Sequence, residues 1–399
     1  MHEHMTHPRR WKLSPVCEQL LSRHCGSGDT PVSAADLAGL ARAVGTLADA
    51  YTDGEPARAV LSDPELRTAY GAYYLPCNAV KLFPVLHEIQ RRTPLLRPAD
   101  TLRVLDIGCG PGTLMLGLLD YCFQNHANDA IRLALTGIDR EPGNIAAARA
   151  LVEGFSAAAG APALSSLDLL TGEVSAPEER FPDLPHDAFD LIMAGNLVNE
   201  LPPGRIAPFA RQLNALLKPG GMLIILDPGT QRSFRQLLSL RHELLSLEEI
   251  RLVAPCLQAG ACPLQHSSNA WCHDKVFWSP PGLVRLVDER TGFTKHKGVK
   301  FSYLVATRIS GTTAGARTEV PNQSLWRVIS YVIRSKGEER LYVCNGRERR
   351  LLRRLTRLHT AANADFSCCA RGDIVTIAGA EQRTGFFNIG PAAVFRIIS

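Results

Sequence analysis

The 399-residue sequence contains no long hydrophobic run. A membrane-spanning helix needs roughly 18 consecutive apolar residues, and no segment approaches that length, so we expect no membrane helix and no membrane partner. The first residues, Met1 to Lys12, contain histidine and arginine but no apolar segment, which excludes a secretory signal peptide and leaves a short organellar presequence open. The sequence therefore predicts a cytoplasmic protein of bacterial type.

Net charge is also small, at +5, and the apolar content of 45% is typical of a soluble globular protein. The length predicts two or three domains. Positive charge is concentrated near the C-terminus, where a row of arginines surrounds the single acid Glu348. Such a row can neutralise nucleic-acid phosphates, although a solvated surface element gives the same pattern. The row consists of Arg347, Arg349, Arg350, Arg353, Arg354 and Arg357.

A disulfide framework is not expected either. The chain has 11 cysteines, an odd number, and no secretory signal accompanies them. Cysteines in a reducing compartment are more often free thiols or metal ligands than disulfides.

A glycine-rich turn from Asp106 to Thr113 organises the rest of the chain. It follows a buried strand predicted over Leu102 to Leu105 and precedes a helix predicted over Leu114 to Phe123. Glycine lets the backbone bend sharply and approach a ligand, and the helix start adds free N–H groups. The glycines of the turn are Gly108, Gly110 and Gly112.

Asp139 ends the next predicted strand, where an acid is placed to accept hydrogen bonds from ribose hydroxyls. The pattern D-x-G-x-G-x-G, with Asp106 before the first glycine, resembles class I S-adenosylmethionine-dependent methyltransferases. That resemblance implies that Asp106 and the glycines surround the methionine part of the cofactor and that Asp139 binds its ribose. A dinucleotide site and a vestigial loop are the alternatives.

The surrounding pattern predicts an α/β fold with a Rossmann-like class I methyltransferase core over residues 99–310 and an N-terminal helical region over residues 1–98. A third strand is predicted over Leu164 to Leu169, with Asp168 near its end as a candidate contact for the adenine amino group. A loop acid is an equal alternative for Asp168. The aromatic segment Tyr70 to Tyr74 suits either packing between helices or a lid over the cofactor.

Polar residues follow the fourth predicted strand, Phe189 to Ala194, at the edge where a doubly wound sheet presents groups to a substrate. Asn196 and Asn199 are candidates to orient a substrate amino group, with Asn196 also near the cofactor, and Glu200 is a candidate base. Alternatively, Asn199 and Glu200 cap a helix that starts near Pro202. The segment lacks the N-P-P-[YF] pattern of amino-group methyltransferases and the paired cysteines of cytosine-C5 enzymes, so no specific methyl-transfer chemistry is indicated.

Three cysteines, Cys256, Cys262 and Cys272, lie in a Pro- and Gly-rich stretch within residues 254–274. This spacing suits a loop around a metal or cluster but leaves one ligand missing. Buried thiols without a metal are the alternative. The candidates for a fourth ligand are His266, His273, Cys344, Cys368 and Cys369.

These cysteine segments, with Asp227 to Thr230 and Lys300 to Val305, resemble the methyltransferase-like small-ribosomal-subunit assembly factors, which are known from mitochondria and have bacterial relatives. Tyr73 to Pro76, Asn199 to Leu201 and the tail to Asp373 extend the resemblance over roughly residues 65–375. It implies bound S-adenosylmethionine, binding to small-subunit ribosomal RNA or a pre-ribosomal particle, and a mitochondrial location in a eukaryote. It also implies a [4Fe–4S] cluster, with zinc as the alternative, held by Cys256, Cys262, Cys272 and Cys344.

The C-terminal part is predicted to be a separate unit. Residues 311–323 are rich in Thr, Gly and Ala and suit a linker, and residues 324–399 suit a small β-rich, basic domain. With Cys344 as a ligand, the metal would join this domain to the core. The favoured function is an RNA-binding assembly factor, and the alternative is an active methyltransferase of a small molecule with a structural metal site.

Overall fold

The computed structural model describes residues 9–25, 33–53, 61–92, 95, 101–125, 131–160, 164–173, 183–309 and 325–398. No helix in these ranges is long and apolar enough to cross a membrane. The predicted linker at residues 311–323 lies outside them. The helices are Pro15–His24 (α1), Ala34–Asp53 (α2), Pro64–Ala69 (α3), Leu75–Ala79 (α4), Leu82–Arg92 (α5), Thr113–Asn125 (α6), Pro142–Ala159 (α7), Ile206–Leu216 (α8), Gln231–Ser246 (α9) and Gly282–Thr291 (α10).

The first sheet has a Rossmann-like core of five parallel strands in the order β4-β3-β2-β5-β6, which confirms the predicted fold class. An antiparallel strand, β9, follows β6, and β7 and β8 both pair with β9. The strands are Arg10–Trp11 (β1), Thr101–Ile107 (β2), Arg132–Asp139 (β3), Leu164–Thr171 (β4), Phe189–Gly195 (β5), Leu217–Pro228 (β6), Ile250–Ala254 (β7), Asp274–Trp278 (β8) and Val299–Arg308 (β9).

Helices cover both faces of this sheet, and their ends follow local signals. The apolar residues of α6 and α7 pack with one face, and those of α8 and α9 pack with the other. Helix α9 begins after Thr230, whose hydroxyl accepts a hydrogen bond from Ser233 N at 3.1 Å. Helix α7 ends at Gly160, which has a φ of 60°.

Strand β6 runs through Lys218 to Gly221, a Lys-Pro-Gly-Gly segment whose composition is typical of a turn. The pairing with β5 shifts register between Phe189 and Leu191, and Gly220 has a φ of 84°. A bulge with a left-handed glycine therefore lets the strand continue through turn-like residues.

The N-terminal helices share the core of the first sheet. Cys17, Leu47 and Phe83 are buried together with Val104 and Met115 in one apolar cluster. In addition, β1 pairs in parallel with β8, so the chain enters the first sheet before the helices begin. Within the described residues, the N-terminal region is a cover on the core.

A second sheet forms the C-terminal part and has its own apolar core around Trp326, Leu341, Leu352 and Phe395. The arginine row contributes a complete strand to it, which the sequence analysis missed. The strands are Leu325–Val328 (β10), Ile333–Ser335 (β11), Glu338–Cys344 (β12), Arg349–Leu355 (β13), Ile374–Ala378 (β14), Glu381–Arg383 (β15), Phe386–Asn388 (β16) and Val394–Ile397 (β17).

Candidate cofactor site and cysteine cavity

The glycine turn connects β2 to α6 at the carboxyl edge of the parallel strands. Gly108, Gly110 and Gly112 have φ values of 67°, 53° and 83°. A Cβ on Gly112 would lie 3.1 Å from Ala148 Cα, so glycine is needed there for α6 and α7 to pack closely. A Cβ on Gly110 would meet nothing within 4 Å, which leaves this backbone open to a ligand.

Two acids of the predicted cofactor site lie beside this turn. Both carboxylate oxygens of Asp106 are buried and have no hydrogen-bond partner among the described residues. Burial, and next the charge of Asp139, raise the pKa of Asp106 well above its usual value, and the backbone N–H of Met115, which lies near the carboxyl without forming a hydrogen bond of normal geometry, opposes this. A buried, unpartnered carboxyl next to an open backbone fits a ligand that carries N–H donors and positive charge.

Asp139 fastens the turn to the following helix. Its Oδ2 accepts a hydrogen bond from Gly110 N at 2.9 Å, and its Oδ1 accepts one from Asn144 Nδ2 at 3.1 Å. The structure thus brings Asp106, the three glycines and Asp139 together. Asp168 differs, because it is exposed and pairs with Thr136, three residues before β4 ends at Thr171.

The polar segment after β5 is bound to the end of β6. Asn196 has a φ of 53°, and its N–H donates to Leu226 O at 2.7 Å. With its amide oriented to satisfy both polar atoms, Asn199 donates to Asn196 O and to Asp227 Oδ1, at 3.1 Å each. Asn199 therefore does not cap the next helix, and α8 has no side-chain cap at all.

Asp227 and Lys81 are two buried ionisable residues that interact electrostatically at this edge, and the sequence analysis did not identify Lys81. Asp227 is 0% exposed and Lys81 is 5% exposed. Burial raises the pKa of Asp227 to about 7, which Lys81 opposes and Glu200 reinforces. Burial, and next the charge of Lys295, lower the pKa of Lys81 to about 7, and Asp227 opposes this shift. No local pattern marks Lys81, because its partners lie far away in the sequence.

The aromatic segment Tyr70–Tyr74 is a buried π-helix. Tyr70 Oη accepts a hydrogen bond from Asn78 Nδ2 at 3.1 Å, and Tyr73 Oη donates one to Asp288 Oδ1 of α10 at 2.5 Å, so the segment packs between helices. Burial raises the pKa of Tyr70, and the neighbouring side chains of Thr113, at the start of α6, and Asn78 oppose this. The lid over the cofactor stays a prediction, which the proximity of Tyr70 to Thr113 allows.

The four predicted cysteine ligands line a single cavity of about 80 Å³ between the two sheets. Cys256, Cys262 and Cys272 come from the irregular segment between β7 and β8, and Cys344 ends β12. Of the other candidate ligands, His273 also lines the cavity, whereas His266, Cys368 and Cys369 are not among its lining residues. Within the described part of the chain, no group of three or more His, Cys, Asp or Glu side chains is arranged to hold a metal ion.

Arginines hold the cysteine segment in place. Arg241 Nη2 donates to Gln258 O at 3.1 Å and to Gly260 O at 2.7 Å, and Arg235 donates to the carbonyls of Gln265 and Ser267. The segment has little regular structure, so these bonds replace a hydrogen-bonded ladder.

Burial and the neighbouring thiols determine the protonation of this group. Burial, and next Cys256, raise the pKa of Cys272 to about 12, which Arg371 opposes. Burial raises the pKa of Cys344 to about 11, and Gly346 N–H, which donates to its Sγ at 3.4 Å, opposes this. Without a bound metal the thiols of Cys272 and Cys344 therefore hold their protons, and metal binding must release them.

The arginine row does not form one exposed face. Arg354 is 1% exposed and pairs with Glu339 at 2.5 Å inside the second sheet. The Arg350 guanidinium lies 4.5 Å from the Trp326 ring centroid and 4.1 Å from that of Phe387. Strand alternation turns Arg349 and Arg353 to the opposite side of β13.

Comparisons with known proteins place the chain in a family. No curated protein gives a significant match. Among solved structures, magnesium protoporphyrin IX methyltransferase from Synechocystis, with bound S-adenosylmethionine, is 12% identical over 58% of this chain and 80% of that chain, with a TM-score of 0.34. A TehB-like S-adenosylmethionine-dependent methyltransferase from Corynebacterium glutamicum is 15% identical over 57% of this chain and 88% of that chain, with a TM-score of 0.31. The family described as mitochondrial small ribosomal subunit Rsm22 matches residues 64–372, well over half of the sequence, and the chain belongs to this family.

Proposed function

We propose that this protein is an S-adenosylmethionine-binding, methyltransferase-like factor that acts in biogenesis of the small ribosomal subunit and contacts its RNA. Family membership supports the ribosomal role. The observation that carries cofactor binding is the buried Asp106 carboxyl, which has no partner beside the open backbone of Gly110. In bacteria we expect it in the cytoplasm, and in eukaryotes in mitochondria.

S-adenosylmethionine would bring an electrophilic sulfonium methyl group to this edge of the sheet. Asp106 would accept N–H donors of its methionine part, and Asp139, already bonded to Gly110 N, would accept ribose hydroxyls. Asn196 and Asn199 would line the side of the site where the methyl acceptor binds, together with Glu200. Asp168 remains a candidate adenine contact, although its exposed position gives that role no support.

Isothermal titration calorimetry with S-adenosylmethionine tests this site. We expect measurable binding by the wild-type protein and an affinity at least about tenfold lower for Asp139→Ala, because that variant releases the glycine turn and removes the ribose acceptor. Asp183→Ala, at an exposed position outside the site, is the matched control and is expected to bind like the wild type. No binding by the wild-type protein, or equal binding by Asp139→Ala, contradicts the proposal.

We further propose that Cys256, Cys262, Cys272 and Cys344 hold a [4Fe–4S] cluster. All four line one cavity, and four cysteine thiolates are the usual ligands of such clusters. Four thiolates also suit a tetrahedral zinc site, which is the alternative. The family resemblance, rather than the arrangement of the thiols, favours the cluster.

Anaerobic purification followed by iron, sulfide and zinc quantification distinguishes the two metals. The proposal predicts about four irons and four sulfides per chain. A result of one zinc and no iron per chain would contradict the cluster and indicate a mononuclear structural site.

A small-molecule methyltransferase is the second candidate function. It is favoured by the enclosure of the side where the methyl acceptor would bind: Lys81 and Asp227 are buried, and Glu200 interacts electrostatically with both Asp227 and Tyr70. Co-sedimentation with small ribosomal subunit precursors supports the ribosomal function, whereas its absence combined with methyl transfer to small amines supports this alternative.

A further inference from the structure

The second sheet closes into a five-stranded barrel. Strand β10 pairs with β12 and with β14, and β12 pairs with β13, all antiparallel. Strands β14 and β15 form one arm of a long hairpin, and β16 and β17 form the other. The returning arm pairs in parallel with β13 through β16, which closes the barrel.

This connectivity is that of an OB-fold. The five strands are β10, β12, β13, the β14–β15 arm and the β16–β17 arm, and a helical segment, Ala361–Ser367, lies between the third and fourth. In OB-folds the outer face of the second and third strands binds oligonucleotides or oligosaccharides. The corresponding strands are β12 and β13.

The alternation along β12 and β13 separates this outer face from the barrel core. Leu341, Val343 and Leu352 point inward and are at most 1% exposed. The residues between them point outward, and the register places Arg340 opposite Arg353 and Tyr342 opposite Leu351.

The outer face combines one ring with several guanidinium groups. The Arg349 guanidinium lies 4.0 Å from the Tyr342 ring centroid. Arg340 and Arg353 share a single acid, Glu338, to which Arg340 is bonded at 3.3 Å. Like charges directly opposite each other destabilise a sheet, and the single carboxylate between the two arginines leaves this pair with a net positive charge.

We propose that the outer face of β12 and β13 is a binding site for single-stranded RNA, with a base stacked on Tyr342 and phosphates paired with Arg340 and Arg353. Stacking platforms flanked by positive charge bind unpaired bases, whereas duplex RNA keeps its bases stacked and hidden. This inference rests on the proposed function, in which the protein contacts RNA. It specifies where on the protein the RNA binds and that the bound RNA is single-stranded.

Fluorescence anisotropy of the full-length protein with a labelled single-stranded RNA of about 16 nucleotides, and with its duplex, tests the proposal. We expect tighter binding to the single strand and about tenfold weaker binding by Tyr342→Ala, with Tyr342→Phe close to wild type. Arg340→Ala combined with Arg353→Ala should lower the slope of log affinity against log salt by about 1.4. Arg149→Ala combined with Arg285→Ala, two exposed arginines on α7 and α10, is the charge-matched control.

Iron content is measured in the same samples, because Tyr342 lies two residues from Cys344. The arginine variants lie farther along the strands and keep the test informative if Tyr342→Ala loses metal. Preference for the duplex, or wild-type binding and salt dependence in the double variant of Arg340 and Arg353, overturns the proposal and leaves the face to a protein partner. Calorimetry with S-adenosylmethionine does not involve this face, so failure here is distinct from failure of the cofactor proposal.

Discussion

At the scale of single residues, buried acids carry most of the unusual chemistry in this chain. Asp120 on α6 is 0% exposed, and its Oδ2 accepts a hydrogen bond from Ser14 N at 3.0 Å. Burial raises the pKa of Asp120 to about 6, and the hydrogen bonds from Ser14 and Gln124 oppose this. This acid holds the first turn of α1 on the core and bears no relation to the proposed cofactor site.

The raised pKa of Asp120 predicts how stability changes with pH. The unfolded pKa is about 3.9, so the folded state holds the proton more tightly, and its contribution is complete below about pH 4 and is lost as pH rises through about 6. Two pKa units correspond to about 3 kcal/mol. Urea denaturation between pH 4 and pH 7 should show the unfolding free energy of the wild type falling by roughly this amount relative to Asp120→Asn.

Asp183→Asn, at an exposed position, is the control and is expected to follow the wild-type pH profile. Parallel profiles for the wild type and Asp120→Asn would show that this carboxyl does not titrate between pH 4 and pH 6.

The candidate site shows which residues a sequence reveals on its own. Asp106, the glycines and Asp139 belong to one local pattern, because one βα unit followed by a strand places them together. Lys81 and Asp227 meet only through tertiary packing, and neither lies in a motif that requires the other. Asn199 was expected either at the substrate or at a helix cap; its amide binds Asp227, which excludes the cap, and the substrate role stays a prediction.

At the scale of elements, strands and helices with clear end signals were predicted closely. Helix α6 was predicted over Leu114 to Phe123 and spans Thr113–Asn125, because the glycine turn before it and the apolar pattern along it mark its position. Strand β13 was missed because its inward positions include Arg350 and Arg354, which read as solvent-exposed charge. Their partners, Trp326, Phe387 and Glu339, come from other strands, so local alternation could not reveal the burial.

Cys344 lies at the end of β12 and is the cysteine of the barrel that lines the cysteine cavity. Replacing it with serine removes a thiolate from the proposed cluster. We expect Cys344→Ser, purified anaerobically, to lose most of its iron and sulfide. Cys368→Ser changes a thiol that does not line the cavity and should retain wild-type metal content. Full iron content in Cys344→Ser would instead favour His273, which also lines the cavity, as the fourth ligand.

At the scale of the whole molecule, one buried cluster joins the N-terminal cover, the Rossmann-like core and the barrel. Arg327 of β10 donates to Glu88 of α5, from Nη1 to Oε1 at 2.5 Å and from Nη2 to Oε2 at 2.8 Å. Its Nη2 also donates to Tyr303 Oη of β9, at 2.6 Å. Arg327 and Tyr303 both line the cysteine cavity, so the same contact supports the walls of the proposed cluster site.

Removing one partner of a buried ion pair leaves the other charge uncompensated, at a cost of about 3–5 kcal/mol. We therefore expect Arg327→Met to lower the unfolding free energy by roughly this amount, with faster amide exchange in β10 and β14 than in β2 and β5. Glu88→Gln in the Arg327→Met background should recover part of the loss, because no unpaired carboxylate remains. The control is Arg383→Met, which breaks an ion pair whose partners are both 59% exposed and should cost less than about 1 kcal/mol. Equal losses for the two arginine variants would mean that the barrel is attached mainly through apolar contacts and the cysteine cavity.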